Sequence, residues 1–214
     1  YYADGSDVVH IVPNSRNQPA EFTETKFPMI VEKLALSTDS GGAGKFRGGL
    51  GYDKDYRTLT DCYTLVSADR VRLGCYGVNG GQASKPFGVF VDSQGRNEKL
   101  GGLKDDVPLI TDEVVKVRTT GGGGWGNPLD REIEVVRMDV WQEKVSEQAA
   151  KDIYGVIIDK FEFGEPFIDM AATEKQRAEL RNAESDINPI IDRGPGLEEL
   201  KMANKDSEMP DRFA

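Results

Sequence analysis

Between residues 39 and 52 the chain reads DSGGAGKFRGGLGY: six of these fourteen residues are glycine, and two cations, Lys45 and Arg47, stand between the glycine clusters. Glycine loses more backbone freedom on folding than any other residue, so a folded chain that concentrates it needs positive φ angles or close backbone approach there. Backbone N–H groups in such a turn can form an anion-binding concavity, and the fork of Arg47 suits a carboxylate or a phosphate. The candidate contact set is therefore Arg47 and Lys45 with the backbone of Gly44, Gly48 and Gly49. The alternative is a structural turn in which Arg47 pairs with Asp39 or Asp53. A nucleotide phosphate loop is not matched. Its first glycine position holds Asp39, Phe46 follows Lys45, and the flanks read as strands rather than as strand then helix.

The other chemistry-bearing types are sparse. Gly121, Gly123 and Gly126 have the spacing of a dinucleotide fingerprint, but Asn127 and Pro128 separate them from the next helical pattern, and no β-α alternation precedes them. A tight hinge packing Trp125 against the core is expected, with a pocket or subunit contact as the alternative. His10 is the only histidine, and Cys62 and Cys75 are the only cysteines, so no zinc set of ordinary spacing can be assembled. His10, inside an apolar strand pattern, reads as a packed residue. Nothing selects an all-carboxylate magnesium site from 37 scattered acids. Ser40, Ser67 and Ser84 lack the G-x-S-x-G context of a hydrolase nucleophile. The two cysteines read as free thiols in a reducing cytoplasm, a disulfide being the alternative.

The elements that must position these residues are mostly short strands broken by Gly, Pro and Asp. Strand patterns run over 7–13, 29–36, 52–59, 61–66, 70–74, 88–91 and 113–119, and 21–26 alternates in the same way. Both faces of 29–36 are mostly apolar, so cover on both sides is expected. The 113–119 strand runs into the glycine run Gly121, Gly122, Gly123, Gly124 and Gly126. Beyond Pro128 the period changes: Ile133, Val136 and Val140 form one helical stripe, with Asp139 read as lying off it. Ser146 is expected to cap a short second helix that Gly155 ends. Thr173 and Gln176 have the spacing of a capping box before a polar helix. Past about residue 185 periodicity disappears, and an extended tail or a partner-wrapping arm is expected.

Composition bounds the partners. The chain of 214 residues carries a net charge of -10, and no basic face of the kind nucleic acid requires is evident. No apolar stretch is long enough to span a membrane. The first residues lack the basic start and apolar core of a signal peptide. Residue 1 is Tyr rather than Met, and a fragment, split subunit or processed product is the expectation.

Taken together, PNSRNQPAEFTETKFPMIVEKLALSTDSGGAGKFRGGLGY, SADRVRLGCYGVNGGQASKPFGVFV, TTGGGGWGNPLDRE and SEQAAKDIYGVII, in that order, resemble the C-terminal part of the hydantoinase B/oxoprolinase family. The resemblance covers residues 13–158 and continues more faintly over 172–181. The fold expected from the strand and helix patterns is α+β, mostly β, with mixed or antiparallel strands joined by Gly-rich turns and followed by short helices and an extended tail. The division expected is a β-rich region at 1–158, with helices near 131–154, and an acidic helix and tail at 159–214. Gly41, Gly42, Gly44, Arg47, Gly48, Gly49 and Gly51 match the family's GGxGxxRGGxG run. Gly80 and Gly81 match the next glycine pair, and Gly121, Gly122, Gly123, Gly124, Gly126 and Pro128 the late one.

What the resemblance implies about function is a shared reaction. An ATP-binding hydantoinase A-like partner activates a cyclic amide, or in the carboxylases a ketone and bicarbonate, by phosphorylation, and this component completes the chemistry. ATP and a divalent metal are then expected elsewhere in the complex rather than on this chain. The expected partners are that ATP-binding subunit and the N-terminal portion of the chain's own family component, in the cytoplasm. A purely structural interface module is the alternative.

Overall fold

The computed structural model describes residues 3–9, 17–93, 96–183 and 190–200. The elements run α1 (Ala20–Lys26), β1 (Met29–Leu36), β2 (Tyr52–Thr58), β3 (Cys62–Ser67), β4 (Gly77–Val78), β5 (Gly88–Ser93), β6 (Arg96–Leu100), β7 (Leu103–Leu109) and β8 (Val114–Arg118). A 3₁₀ turn (Pro128–Asp130), α2 (Ile133–Trp141), α3 (Glu147–Asp152), β9 (Ile158–Glu162), β10 (Glu165–Ile168), α4 (Met170–Ala183) and β11 (Ile191–Asp192) complete it. The fold is α+β and mostly β. Its ladders are antiparallel: a five-stranded sheet ordered β1-β2-β8-β5-β6, and the pairs β3-β7, β9-β10 and β4-β11.

Alternation decides where the cores lie. Val89 and Val91 of β5, Leu100 of β6, and Val66, Val107 and Leu109 of the β3-β7 pair all face inward and form one apolar cluster, with Val115 packed against it. The outer face of the β3-β7 pair leaves Tyr63, Leu65 and Leu103 exposed. The second cluster joins Ala43 of the glycine turn to Val136 and Val140 of α2, Val145, Ala150 of α3, Tyr154 and Val156. Through Ala43 the first glycine-rich segment belongs to the second of these cores.

Several local expectations change. Residues 20–26 form a helix rather than a strand, because Pro19 sets a φ of -54° at its N-cap and the short turn exposes its polar side chains. β1 is an edge strand, not a doubly covered one: its last five residues are exposed, Leu34 among them. Arg70 takes a left-handed φ of 56° and donates to the Gly74 carbonyl, so 70–74 is a loop. Val8 also has positive φ, in a turn that ends any strand at 7–9; residues 10–13, His10 included, lie outside the described residues. Thr173 is interior to α4 rather than its cap. Asp169 caps the helix, its carboxylate accepting from Ala172 N at 2.9 Å, and the buried Thr173 hydroxyl accepts from Ile157 N. Of the tail, Ile191 and Asp192 pair with β4 beside the glycine segments, and residues 201–214 lie outside the described ones.

Among the described residues no helix is long and apolar enough to cross a membrane.

Candidate functional site

Three glycine runs, at 41–51, 77–82 and 121–126, meet by direct backbone contact. Gly42 N donates to Gly122 O, Gly48 N to Gly42 O and Gly122 N to Gly49 O, all within 2.9 Å. Gln82 N donates to Ala43 O, and Gly124 N to Gln82 O, which brings in the middle run. A Cβ on Gly48 would stand 1.9 Å from the Gly122 carbonyl oxygen, and one on Gly42 would stand 2.1 Å from Gln82 O. No side chain fits in either gap. Gly41, Gly44, Gly51, Gly81, Gly121, Gly123 and Gly124 sit in the same close packing, while Gly80 and Gly126 take left-handed turns. Trp125 does not pack into the core. It is 43% exposed, with its ring 5.6 Å from that of Phe46.

Many N–H groups of this hub already have acceptors within the chain. The N-terminal residues cross the first glycine run as a strap: Gly5 N donates to Arg47 O and Val8 N to Leu50 O, both at 2.8 Å. Asp4 Oδ1 accepts from Arg47 N at 2.8 Å, and Asp7 Oδ1 from Leu50 N at 2.9 Å. The carboxylates bound by the turn are thus the chain's own. Lys45 points away into solvent, with Nζ 5.9 Å from the Phe46 ring centroid.

Arg47 is 3% exposed. Its Nη1 donates to Gly48 O at 2.7 Å and to Asp7 Oδ1 at 3.3 Å, and its Nε lies 3.6 Å from Asp139 Oδ2. Neither Asp39 nor Asp53 is its partner. Asp39 accepts from Ser146 N, and Asp53 pairs with Lys33 and Arg118. Arg131, also buried, clasps Asp4 through both terminal nitrogens, at 2.6 and 2.7 Å, and donates to Asp139 Oδ2 at 2.6 Å. With Lys144 3.2 Å from Asp7, three cations face three carboxylates. Burial pushes the Asp4 carboxyl upward, but hydrogen bonds and charge from Arg131, together with the Arg47 N–H, hold it below the usual carboxylate range. Asp7 is lowered in the same way: burial opposes, and the Leu50 N–H, Arg47 and Lys144 prevail. Sequence reading missed Asp4, Asp7, Arg131 and the inward direction of Asp139. The one local signal was that Asp139 follows Val136 by three residues and precedes Val140, and so borders the apolar stripe.

A solvent-open cavity of about 400 Å³ lies between the glycine turn, residues 82–85 and α3, within the size range of small-ligand pockets. Of the candidate contact set, Arg47 lines it, whereas Lys45, Gly44, Gly48 and Gly49 do not. Tyr154, 2% exposed, forms the floor with Arg47, while Asp39, Lys85 and the exposed Asp152 stand toward the mouth. Burial raises the Tyr154 phenol far above its ordinary pKa, so it is a hydrogen-bond donor at neutral pH. Ser40 and Ser84 serve the backbone instead, accepting from Gly51 N and Cys75 N respectively. Ser67 lies in β3, on its exposed side. Cys62 and Cys75 are free thiols. No group of three or more His, Cys, Asp or Glu side chains among the described residues is arranged to hold a metal ion.

Comparison with known proteins gives this architecture a family. The profile described as Hydantoinase B/oxoprolinase matches residues 1–128. An uncharacterized protein of Methanocaldococcus jannaschii is 38% identical over 75% of this chain and 28% of its own length. The caprolactamase subunit beta of Pseudomonas jessenii is 32% identical over 74% of this chain and 27% of its own length. The chain thus spans little more than a quarter of the length of these curated relatives. Among solved structures, the ATP-dependent caprolactamase from Pseudomonas jessenii superposes with a TM-score of 0.65 and 30% identity, covering 76% of this chain and 28% of that one. A nucleotide-free acetone carboxylase covers 96% of this chain and 32% of that one, with a TM-score of 0.70 and 20% identity, a likeness of fold alone. The chain belongs to the hydantoinase B/oxoprolinase family.

Proposed function

We propose that this chain is a part or subunit of a multi-component, ATP-dependent cyclic-amide hydrolase, of the type that opens a hydantoin, 5-oxoproline or lactam ring. The observation that carries the reading is the 32% identity to a caprolactamase subunit beta over three quarters of the chain. An ATP-binding hydantoinase A-like subunit is the proposed partner, together with the portion of the family component that this chain does not span. ATP and a divalent metal are assigned to those parts, and the complex to the cytoplasm. Amides resist hydrolysis because the leaving nitrogen is poor and the carbonyl is stabilised by resonance. Phosphorylation of the amide oxygen removes that resonance, which is the chemical reason for a demand for ATP.

A second reading, a subunit portion of a ketone carboxylase, is favoured by one fact: the acetone carboxylase alpha subunit of Xanthobacter autotrophicus is 28% identical over 75% of this chain. Among the solved structures, sequence identity favours the hydrolase, at 30% against 20%. A structural module that only seals a subunit interface is the third reading, and a response of turnover to substitutions at the hub decides against it.

Within the hydrolase reading, Arg47 is the proposed ligand contact, because it alone of the glycine-turn candidates lines the cavity. Arg47→Lys keeps the charge and removes the planar fork. In the assembled enzyme it is expected to cut turnover by about tenfold, the equivalent of ~1.4 kcal/mol, while copurification with the partner is unchanged. Unaltered turnover removes Arg47 from the site.

A further inference from the structure

The cavity contains two donors without protein acceptors. The Tyr154 hydroxyl has no hydrogen-bond partner among the described residues, although its ring is buried and its backbone carbonyl accepts from Arg177 Nε. On Arg47, Nη1 is committed to Gly48 O and Asp7 and Nε faces Asp139 Oδ2 at 3.6 Å, whereas Nη2 makes no hydrogen bond among the described residues. Both residues line a solvent-open cavity, where donors that no described residue occupies are open to an acceptor from outside the chain. A carboxylate, with two acceptor oxygens, suits a guanidinium nitrogen and a phenol together.

The mouth has the opposite character. Asp39 and Asp152 contribute two carboxylates there against one cation, Lys85, whose Nζ pairs with Asp39 Oδ2 at 3.9 Å. The Asp39 Oδ1 is held by Ser146 N, and Asp152 is bonded by the Gln148 side-chain amide, so both carboxylates are oriented by α3 or its cap. A dianion entering past these acids meets repulsion, whereas a molecule carrying a carboxylate at one end and an ammonium at the other is attracted at both.

We propose that this cavity binds a small amino carboxylate, its carboxylate held by the Tyr154 hydroxyl and the Arg47 guanidinium and its ammonium by Asp39 and Asp152. Hydrolysis of a lactam ring yields a molecule of this class, so the inference deepens the hydrolase reading and rests on it for the choice of probe. Tyr154 is the residue that this proposal adds: a binding group at the end of α3 that neither glycine content nor motif spacing marks.

Equilibrium titration without ATP tests it, on the full chain and on its assembly with the ATP-binding partner. The probes are 6-aminohexanoate, hexanoate and hexylamine. Saturable binding of 6-aminohexanoate is expected. Tyr154→Phe should weaken 6-aminohexanoate and hexanoate alike by about tenfold, the effect of losing one hydrogen bond to a charged group. Asp152→Asn should weaken 6-aminohexanoate and should not weaken hexanoate. Tyr154→Phe keeps the ring and removes a hydroxyl that no described residue uses, so its thermal midpoint should match that of the parent chain. No saturation by about 10 mM, or equal affinity in Tyr154→Phe, overturns the proposal. Binding that depends on Tyr154 in an assembly without lactam-dependent ATP hydrolysis keeps this site and removes the hydrolase reading. Lactam-dependent hydrolysis without such binding does the reverse.

Discussion

Arg131 and Arg47 share Asp139, and the strap carboxylates Asp4 and Asp7 complete the charge balance. A buried ion pair is weak evidence for stability as a whole, but removing one partner strands the other. Arg131→Ala leaves Asp139 buried without its strongest partner, and unfolding in urea should show a loss of about 3–5 kcal/mol. The strap carries a pH dependence whose sign follows from its carboxyl groups. Both fold with pKa values below the ordinary 3.8, so their contribution is full above that value and is lost as pH falls through the folded values. The groups facing them are Arg131 and the Arg47 N–H for Asp4, and Arg47, Lys144 and the Leu50 N–H for Asp7. Thermal midpoints should stay level from about pH 7 to pH 5 and drop below about pH 4; the Asp4→Asn, Asp7→Asn double variant should flatten the drop. At this scale the sequence was least legible. Arg47 stood out through its glycine setting, but its partners lie 40 and 92 positions away in the chain, and no local pattern reaches that far. Asp4, Asp7 and Asp139 look like any other three of the 37 acidic residues until the fold brings them together.

Elements were easier to read, because alternation and capping are local. β1, β2, β3, β5 and β8, the α2 stripe and the Ser146 cap of α3 follow from residue order, and Ser146 Oγ accepts from Ala149 N as a cap should. Failures came where a single backbone angle decides: Pro19 starts α1, and the left-handed Arg70 interrupts a strand pattern. Thr173 was marked correctly as special but for the wrong reason. Its hydroxyl holds Ile157 N from inside α4, joining that helix to the α2-α3 layer. Thr173→Val should leave that N–H unpaired and lower stability by about 1–3 kcal/mol in chemical denaturation. Two glycines give a matched pair. Gly48→Ala forces a methyl into the Gly122 carbonyl and should destabilise by about 1–3 kcal/mol or more, whereas Gly101, with no atom within 4 Å of an added Cβ, should tolerate Ala within about 0.5 kcal/mol. Equal effects at the two positions would mean that the hub is looser than its contacts indicate.

For the whole molecule there are two cores, the valine and leucine cluster under the five-stranded sheet and the α2-α3 cluster that walls the cavity, and the glycine hub enters the second through Ala43. Family membership was legible because the three glycine runs keep their order and spacing, and the structure explains that spacing as three backbones touching at one place. The cavity was not legible. It needs residues from the first glycine run, the 82–85 segment and the end of α3 at once. The chain covers little more than a quarter of the Methanocaldococcus jannaschii and caprolactamase relatives, and the chemistry proposed for it is that of an assembly. ATP turnover by that assembly is the most direct test of the central claim. Purified with the proposed ATP-binding partner, the protein should hydrolyse ATP when a hydantoin or lactam is supplied and should not require bicarbonate or a ketone. ATP consumption that depends on bicarbonate plus ketone, or that ignores every cyclic amide offered, would contradict the account.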